Sequence, residues 1–318
     1  KEAFMAEVSI VIPTYNGAAY LQACLESALN QTYTDTEIVI VDDCSHDGTP
    51  DLATRVASRD RRVRFFQNPR RLGLVRNWNM ALRHAQGRWI KFLFQDDLLD
   101  DRCVEKMLAE ANRSPTANPG LIVCEREFLL EQGIPENLHL FYTQSVLRFG
   151  EVFPGKRTVS SRQFCQAVLR RVGQNFIGEP TSLMLRRDLC DRYSVFNESL
   201  VQLCDLEYWT RLGIHTEIRY LPDTLACFRV HPDSASVYNH AYHPMAVEWV
   251  DKVILLHDYL HHPCYDKLRA LENAETRLSH ILQEEVERIR SGTEGRDPQR
   301  AQRIYEELLL RYPALASY

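Results

Sequence analysis

Two adjacent carboxylates stand where an apolar segment of this sequence stops. The segment Lys91–Asp101 reads KFLFQDDLLDD, and its apolar and aromatic residues predict a buried strand that ends on Asp96 and Asp97. Neighbouring negative charges repel one another, and burying them is costly unless a cation lies beside them. We therefore predict that this strand end binds a cation, whereas Asp100 and Asp101 are expected only to begin the next helix.

Polar residues also follow two earlier apolar runs. Val8–Pro13 (VSIVIP) leads into Thr14–Asn16, and Glu37–Val41 (EIVIV) leads into Asp42 and Asp43. Both runs are rich in β-branched residues, which is typical of strands buried on both faces. Side chains at the ends of parallel strands meet at one edge of a sheet, and this edge is where ligands bind in open α/β sheets.

Two arginines, Arg71 and Arg76, flank Gly73 in the loop that follows. A guanidinium group forms paired hydrogen bonds with phosphate oxygens, so either side chain is suited to bind a diphosphate. A solvated basic loop explains the same residues equally well, and the sequence does not decide between the two interpretations.

The elements that must position these residues alternate between strands and helices. This alternation predicts βαβ units and a mostly parallel sheet in a nucleotide-binding half that spans residues 8–115. The predicted strands cover Val8–Pro13, Glu37–Val41, Val63–Phe66 and Trp89–Phe94, and the predicted helices cover Ala19–Asn30, Gly48–Ser58, Leu74–Ala85 and Asp100–Asn112.

The second half, residues 116–237, has a looser pattern. Its predicted strands cover Leu121–Phe128, Ser182–Arg186, Ile218–Leu221 and Ala226–Val230, and its predicted helices cover Ser161–Val172 and Leu203–Leu212. Between them, Leu130–Thr158 has few periodic signals. Long segments of this kind in compact domains are often lids or binding loops, so we expect this one to contact a substrate.

A helical extension is predicted over residues 238–318, with an interruption near Ser291–Thr293. Within it, Trp249, Val253, Leu256 and Leu260 recur at helical spacing and form an apolar stripe. Such a stripe usually packs into the core or against another helix. Two alternatives stay open, namely a homodimer contact and peripheral association with a membrane surface.

The composition limits the class of protein. The chain has 318 residues, of which 45% are hydrophobic and 25% charged, and its formal charge of −5 offers no basic surface for nucleic acid. No apolar run approaches the roughly 18–20 residues of a membrane helix, and the first residues lack the apolar core of a signal peptide. Nine cysteines without CxxC pairs favour a reducing compartment. We expect a cytoplasmic protein, with the inner face of the membrane as the alternative position.

Four segments together resemble the family-two glycosyltransferases. They are VSIVIPTYNGAAYLQACLESALNQTYTDTEIVIVDDCSHDGT, RLGLVRNWNMALRHAQGRWIKFLFQDDLL, CDLEYWTRLG and FRVHPDSAS, and they occur in the order of the family. The resemblance covers about Val8–Ser236 and implies the α/β GT-A fold. That fold is a single nucleotide-binding, Rossmann-like mixed sheet flanked by helices, here within residues 1–237 and followed by the extension.

The resemblance also implies an activity and a cofactor. The expected reaction is inverting transfer of a sugar from a nucleoside diphosphate sugar to a hydroxyl acceptor, in bacterial polysaccharide or glycolipid synthesis. The Asp-x-Asp metal motif of the family reads Phe94-Gln95-Asp96 here, so that the first carboxylate is missing. Asp96 matches the position that binds Mn²⁺ or Mg²⁺, and His231 matches a histidine on the diphosphate side that is suited to bind the metal.

The remaining site residues carry over in the same way. In CDLEYWTRLG, Asp205 matches the catalytic base, and Cys204 stands where the family usually has Glu. Asp97 and Glu179 are expected on the acceptor side. The residues expected to bind the nucleotide sugar are Pro13, Thr14, Tyr15, Asn16, Asp42, Asp43, Arg71, Arg76, Gln95 and Asp96.

Two other functions stay open at this stage. A nucleotidyltransferase also places carboxylates at strand ends, although the sequence lacks a glycine-rich basic loop directly after the first strand. A non-catalytic module that binds nucleotide sugars would explain the missing carboxylate at Phe94 and the substitution at Cys204. Asp96, Asp205 and His231 together argue against that module. The sequence identifies neither the sugar, nor the base of the donor, nor the acceptor.

Overall fold

The computed structural model describes residues 6–114, 117–244, 246–291 and 298–318. Within these ranges, nine strands form one mixed sheet in the order β3-β2-β1-β4-β8-β6-β9-β5, and β7 pairs with β9. The strands are β1 Val8–Thr14, β2 Thr36–Asp42, β3 Val63–Gln67, β4 Trp89–Phe92, β5 Leu98–Leu99, β6 Leu121–Leu130, β7 Thr158–Val159, β8 Leu183–Arg186 and β9 Ile218–Val230.

Helices cover both faces of this sheet and continue to the end of the described chain. They are α1 Leu21–Leu29, α2 Thr49–Arg59, α3 Leu74–His84, α4 Cys103–Ala111, α5 Glu136–Leu140, α6 Phe149–Val152, α7 Ser161–Arg170, α8 Asp188–Tyr193, α9 Cys204–Gly213, α10 Ala235–Tyr242, α11 Asp251–His261, α12 Asp266–Arg269, α13 Ala274–Ser291 and α14 Pro298–Arg311.

The parallel half of the sheet brings the polar strand ends together, as predicted. β1 pairs in parallel with β2 and β4, and β2 pairs in parallel with β3. In this register Thr14 lies opposite Asp42, which lies opposite Gln67. β8 runs antiparallel between β4 and β6, and β6 pairs in parallel with β9. The ends of β4 and β9 therefore reach the same edge of the sheet from different parts of the chain.

The core forms one layer on each face of the sheet, because successive side chains of a strand point to opposite faces. Ile10 and Ile38 pack with Leu25 of α1 in one layer, whereas Val11 and Phe92 belong to the other. Every residue of β1 and β2 is buried, which explains why both sequences are nearly continuous apolar runs.

The helical extension packs into the second of these layers. Trp249, Val253 and Leu256 of the predicted stripe are buried, and they share a core cluster with Phe92 and Trp209. These three side chains are covered by the chain itself, which supports the interpretation of the stripe as core, whereas Leu260 is only partly buried. Homodimer contact and membrane association stay predictions.

Several element boundaries differ from the sequence-based expectation. The two strands predicted over Ile218–Leu221 and Ala226–Val230 are one strand, β9, because a register shift opposite Glu125 lets the chain pass Pro222 without leaving the sheet. Leu130–Thr158 is not a bare loop, since it contains α5, a π-helical turn and α6. α13 ends at Ser291, and the rest of the predicted interruption lies outside the described residues.

All nine cysteines are free. Within the described ranges, no helix combines the length and the apolar character that crossing a membrane requires.

Candidate active site

Asp96 and His231 lie in contact at the edge where β4 and β9 end. The His231 Nε2 atom is 3.1 Å from Asp96 Oδ2, and both side chains keep some exposed surface, 7% for His231 and 17% for Asp96. Arg229, two residues before His231, donates from Nε to the main-chain oxygen of Asp96 at 2.9 Å. The structure thus brings together the two side chains that the sequence predicted as metal ligands, although they are 135 residues apart.

Asp97 has a different environment from its neighbour. Its side chain is fully buried, and its carboxylate accepts hydrogen bonds from the Arg229 main-chain N–H at 2.9 Å and from the Thr181 hydroxyl. Burial, and next the charge of Asp96, raise the pKa of Asp97 well above its usual range. Asp97 has no exposed surface, and it joins β9 and the Thr181 turn to the end of β4. Its predicted role on the acceptor side stays a prediction.

The turn after β1 is held by Gln95. Its side-chain oxygen accepts from the Tyr15 main-chain N–H at 2.8 Å, and its amide donates to the Tyr15 carbonyl at 3.1 Å. The Arg71 guanidinium lies 4.2 Å from the centre of the Tyr15 ring, a cation–π contact. Gly17 is needed beside them, because a Cβ atom there would lie 2.1 Å from Gln95 Oε1. Arg71, Tyr15 and Gln95 therefore form one surface next to Asp96.

The predicted nucleotide ligands on β2 are buried. The Asp42 side chain has no exposed surface, and its carboxylate accepts from Thr14, Ser45 and Gln67. These hydrogen bonds all lie inside the protein, and the predicted contact of Asp42 with a nucleotide stays a prediction. Asp43 is 2% exposed and accepts from the main-chain N–H groups of Leu72 and Gly73 at 2.8 Å each. Asp43 therefore fixes the loop that carries Arg71, and its direct contact with a nucleotide stays a prediction.

The other predicted nucleotide ligands fall into two groups. Pro13 and Thr14 are buried in β1, whereas Asn16 is exposed in a left-handed conformation, with φ of 46°. Asn16 accepts the His46 main-chain N–H at 3.0 Å, so it joins the ends of β1 and β2. Arg76 forms an exposed ion pair with Glu198 at 2.8 Å. Of the two candidate arginines, the structure thus places Arg71, and not Arg76, on Tyr15.

Asp205 lies in the first turn of helix α9. Its Oδ1 accepts the Leu206 main-chain N–H at 2.6 Å, and its Oδ2 accepts from Asn175 Nδ2 at 3.1 Å. Burial raises the pKa of Asp205 to about 7, and the nearby charge of Glu179 adds to this effect. A carboxylate with a pKa near neutrality can take a proton from a hydroxyl group and release it again, which is what a general base requires.

Glu179 acts electrostatically on both parts of the site. It pairs with Arg126 at 2.5 Å, and that arginine is buried to 2% exposure. The charge of Glu179 raises the pKa values of both Asp97 and Asp205. Glu179 therefore lies close to the metal side and to the proposed base. A role in acceptor binding is compatible with its position and stays a prediction.

Four site residues escaped the sequence reasoning: Arg126, Tyr142, Asn175 and Thr181. Tyr142 belongs to the π-helical turn and is buried against Phe128, and burial raises its pKa. Arg126 left a signal, because a charged residue follows the buried run of β6 in the sequence LIVCER. No sequence signal marked Asn175 or Thr181, because their hydrogen-bond partners, Asp205 and Asp97, lie 30 and 84 residues away in the sequence.

The metal side of the site has few protein ligands. Across the described part of the chain, no three His, Cys, Asp or Glu side chains cluster so as to hold a metal ion by themselves. Asp96 and His231 nevertheless supply one carboxylate and one imidazole in contact, a donor set that suits Mn²⁺. Hard divalent ions in phosphate-transfer sites commonly take their remaining ligands from phosphate and water. The residues present therefore fit an ion that is shared with a diphosphate.

Comparison with known proteins decides the family. Residues 9–173, just over half of the chain, match the family described as Glycosyl transferase family 2. The chain belongs to glycosyl transferase family 2. The resemblance stated from the sequence motifs is thereby confirmed. One relative, the uncharacterized protein MT1568 of Mycobacterium tuberculosis, is 32% identical to this chain over 228 residues, which cover 70% of this chain and 66% of that protein.

Solved structures of similar fold confirm the GT-A architecture for this family-two chain. TarS residues 1–349 of S. aureus in complex with UDP-GlcNAc has a TM-score of 0.63 at 18% identity, and the match covers 97% of this chain and 81% of that one. The mannosyltransferase PcManGT of Pyrobaculum calidifontis, in complex with GDP-Man and Mn²⁺, has a TM-score of 0.59 at 20% identity, with 98% and 81% covered. At these identities the comparison establishes the fold alone.

Proposed function

We propose that this chain is a metal-dependent, inverting glycosyltransferase that moves a sugar from a nucleoside diphosphate sugar to a hydroxyl group. One observation carries the proposal. Asp205, with a pKa raised to about 7, and Asp97, the neighbour of Asp96, both feel the charge of Glu179, so the candidate base lies near the Asp96–His231 pair. The similar structures of TarS and PcManGT, which are complexes with UDP-GlcNAc and with GDP-Man and Mn²⁺, support the donor class and the metal.

The donor would bind across the ends of β1 and β4. Tyr15, held by Gln95 and covered by Arg71, offers a flat face for a base and a cation for phosphate oxygens. Asp96 and His231 would hold a divalent ion on the diphosphate, and the bound ion supplies charge neutralisation for the leaving group. Asp97 and Arg229 keep Asp96 in place through the hydrogen bonds between their main chains and side chains.

The transfer step would use Asp205 as the base. The acceptor oxygen forms a bond to the anomeric carbon while the bond from that carbon to the diphosphate oxygen breaks, and its electron pair leaves with the diphosphate. The hydroxyl proton passes to the Asp205 carboxylate, which Asn175 and the Leu206 N–H hold in position. Attack from the side opposite the diphosphate inverts the anomeric configuration. The acceptor class, a bacterial polysaccharide or glycolipid, follows only from the family.

The Asp205→Asn variant tests this assignment. We expect it to bind nucleoside diphosphates with the affinity of the wild type and to lose transfer by at least about 100-fold, in line with the contribution of a general base. The exposed Asp101 provides a matched control, since Asp101→Asn makes the same chemical change at an exposed position. Transfer at the wild-type rate by Asp205→Asn would disprove the assignment of the base.

A further inference from the structure

A cluster of three side chains lies directly behind the Asp96–His231 pair and belongs to three separate parts of the chain. Tyr20 comes from the turn before α1, Glu131 follows β6, and Arg229 lies near the end of β9. The Tyr20 hydroxyl donates to Glu131 Oε2 at 2.8 Å, and Arg229 Nη1 donates to Glu131 Oε1 at 2.9 Å. Each carboxylate oxygen of Glu131 therefore has its own donor.

The two partners of Glu131 both contact the metal side. The Tyr20 ring packs against the His231 ring with centroids 4.4 Å apart. Arg229 donates to the Asp96 carbonyl from Nε at 2.9 Å, and its guanidinium lies 5.0 Å from the centre of the Tyr20 ring. The side-chain hydrogen bonds of Glu131 go to Tyr20 and Arg229, and His231 acts on Glu131 only through its charge. Glu131 therefore positions the pair through Tyr20 and Arg229.

The charges explain why this carboxylate matters. Arg229 is a permanent cation next to the oxygen atoms that would bind a divalent ion, and two cations at such a distance repel one another. Glu131 neutralises the guanidinium and holds its Nη1 atom in an ion pair at 2.9 Å. Without that charge, the guanidinium is free to pair with Asp96 and to compete with the metal. Tyr20 and Arg229 also hold the pKa of Glu131 below its usual range, so it is ionised at neutral pH.

We propose that Glu131 is a positioning residue for the metal–diphosphate site, acting through Arg229 and Tyr20. The inference rests on the proposed function, because it assumes that Asp96 and His231 hold a metal with the donor diphosphate. It also gives the segment after β6 a role. The Glu131 main-chain N–H donates to the Val230 carbonyl at 2.9 Å, so the start of this segment is fixed to the chain one residue before His231.

Calorimetric titration of matched variants tests the proposal. UDP, dTDP and GDP would each be titrated with and without Mn²⁺ into the wild type, Asp96→Ala, Glu131→Gln, Tyr20→Phe and Glu136→Gln. Loss of an outer partner of a metal ligand typically lowers metal affinity 10–100-fold. We expect Glu131→Gln to weaken the Mn²⁺-dependent binding about 10-fold or more, and to leave binding without Mn²⁺ unchanged.

The two remaining variants separate charge from structure. Tyr20→Phe removes one hydrogen bond but keeps the ring on His231 and the Glu131–Arg229 ion pair, so we expect a loss of no more than about threefold. Glu136→Gln removes the same charge from an exposed position five residues further along, and wild-type behaviour is expected.

The outcomes distinguish this inference from the proposed function. If Mn²⁺ has no effect on the wild type, the metal site itself fails and the inference fails with it. If the wild type depends on Mn²⁺ and Asp96→Ala loses this dependence, but Glu131→Gln matches the wild type, only the inference is overturned. An equal loss of binding with and without Mn²⁺ in Glu131→Gln, together with a lower melting temperature, would also overturn it, because it would show a general structural role.

Discussion

The raised pKa of Asp205 makes a pH profile the sharpest prediction about the chemistry. A general base must be ionised to accept a proton, so the rate follows the ionised fraction of Asp205. With a pKa of about 7, that fraction falls tenfold per pH unit in acid, and kcat/KM at pH 5 should be about 100-fold below its plateau above pH 8. A carboxyl group with the ordinary value of 3.8 would give a flat profile over this range.

The same pKa also predicts an effect on stability. The difference between about 7 and 3.8 is about three pKa units, or about 4 kcal/mol at most. Because the pKa is raised on folding, this free energy favours the folded state below about pH 4 and is lost as the pH rises to about 7. Asp205→Asn removes the buried charge but weakens the bond from Asn175, which costs about 1 kcal/mol. The variant should therefore be about 2–3 kcal/mol more stable than the wild type at pH 8, and about equal to it at pH 4.

Release of nucleoside diphosphate from the donor, measured from pH 5 to pH 9, checks the first effect. Urea unfolding at pH 4 and pH 8 checks the second, with Asp101→Asn as the control. Glu179→Gln should move the midpoint of the rate profile to lower pH, because the charge of Glu179 raises the pKa of Asp205. A flat profile, or equal stability of Asp205→Asn and wild type at pH 8, would refute the reasoning.

Two further variants probe how the site is held. The buried Asp251 carboxylate accepts the main-chain N–H groups of Val201, Gln202 and Leu203, just before Asp205. Asp251→Ala should therefore lower the free energy of unfolding by about 3 kcal/mol, measured in urea, and reduce kcat more than nucleotide affinity. Unchanged stability of this variant would contradict the prediction. Gly17→Ala should weaken nucleotide binding about tenfold in calorimetry, because its Cβ atom would displace the Gln95 side chain from the Tyr15 backbone. Gly48→Ala is the control, because its Cβ atom would meet its nearest neighbour only at 3.6 Å, and it should bind the nucleotide normally. Equal affinities of the two variants would show that the Gln95 contacts are dispensable.

The sequence was most informative where the residues of a single strand were enough to predict its burial. The β-branched runs of β1 and β2 predicted strands buried on both faces, and the register then brought their polar ends to one edge. Asp96 and His231 were predicted by resemblance alone. Their contact depends on β4 and β9 ending at the same edge, a property of sheet order that no local pattern encodes.

The sequence could not separate enclosed from accessible polar residues, for one physical reason. Asp96 and Asp97 are neighbours in sequence, but only the carboxylate of Asp97 accepts hydrogen bonds from Thr181 and from the Arg229 N–H. Both of these partners lie far from Asp97 in the sequence. Asp42 was expected to bind a nucleotide for the same reason that Asp43 was, and only the side chains of Ser45 and Gln67 show that it is enclosed. Glu131 was missed because its two partners lie 111 and 98 residues away. In each case, tertiary contacts decide whether a polar residue is structural or functional.

The central claim is that a metal ion on a nucleoside diphosphate completes the site at Asp96 and His231. Its most direct test is to titrate the purified wild type and Asp96→Ala with UDP, dTDP and GDP, with and without Mn²⁺. The account predicts that one nucleotide binds the wild type at least about tenfold more tightly with Mn²⁺, and that Asp96→Ala loses this gain. If none of the three binds the folded wild type, or if Asp96→Ala responds to Mn²⁺ as the wild type does, the claim is contradicted.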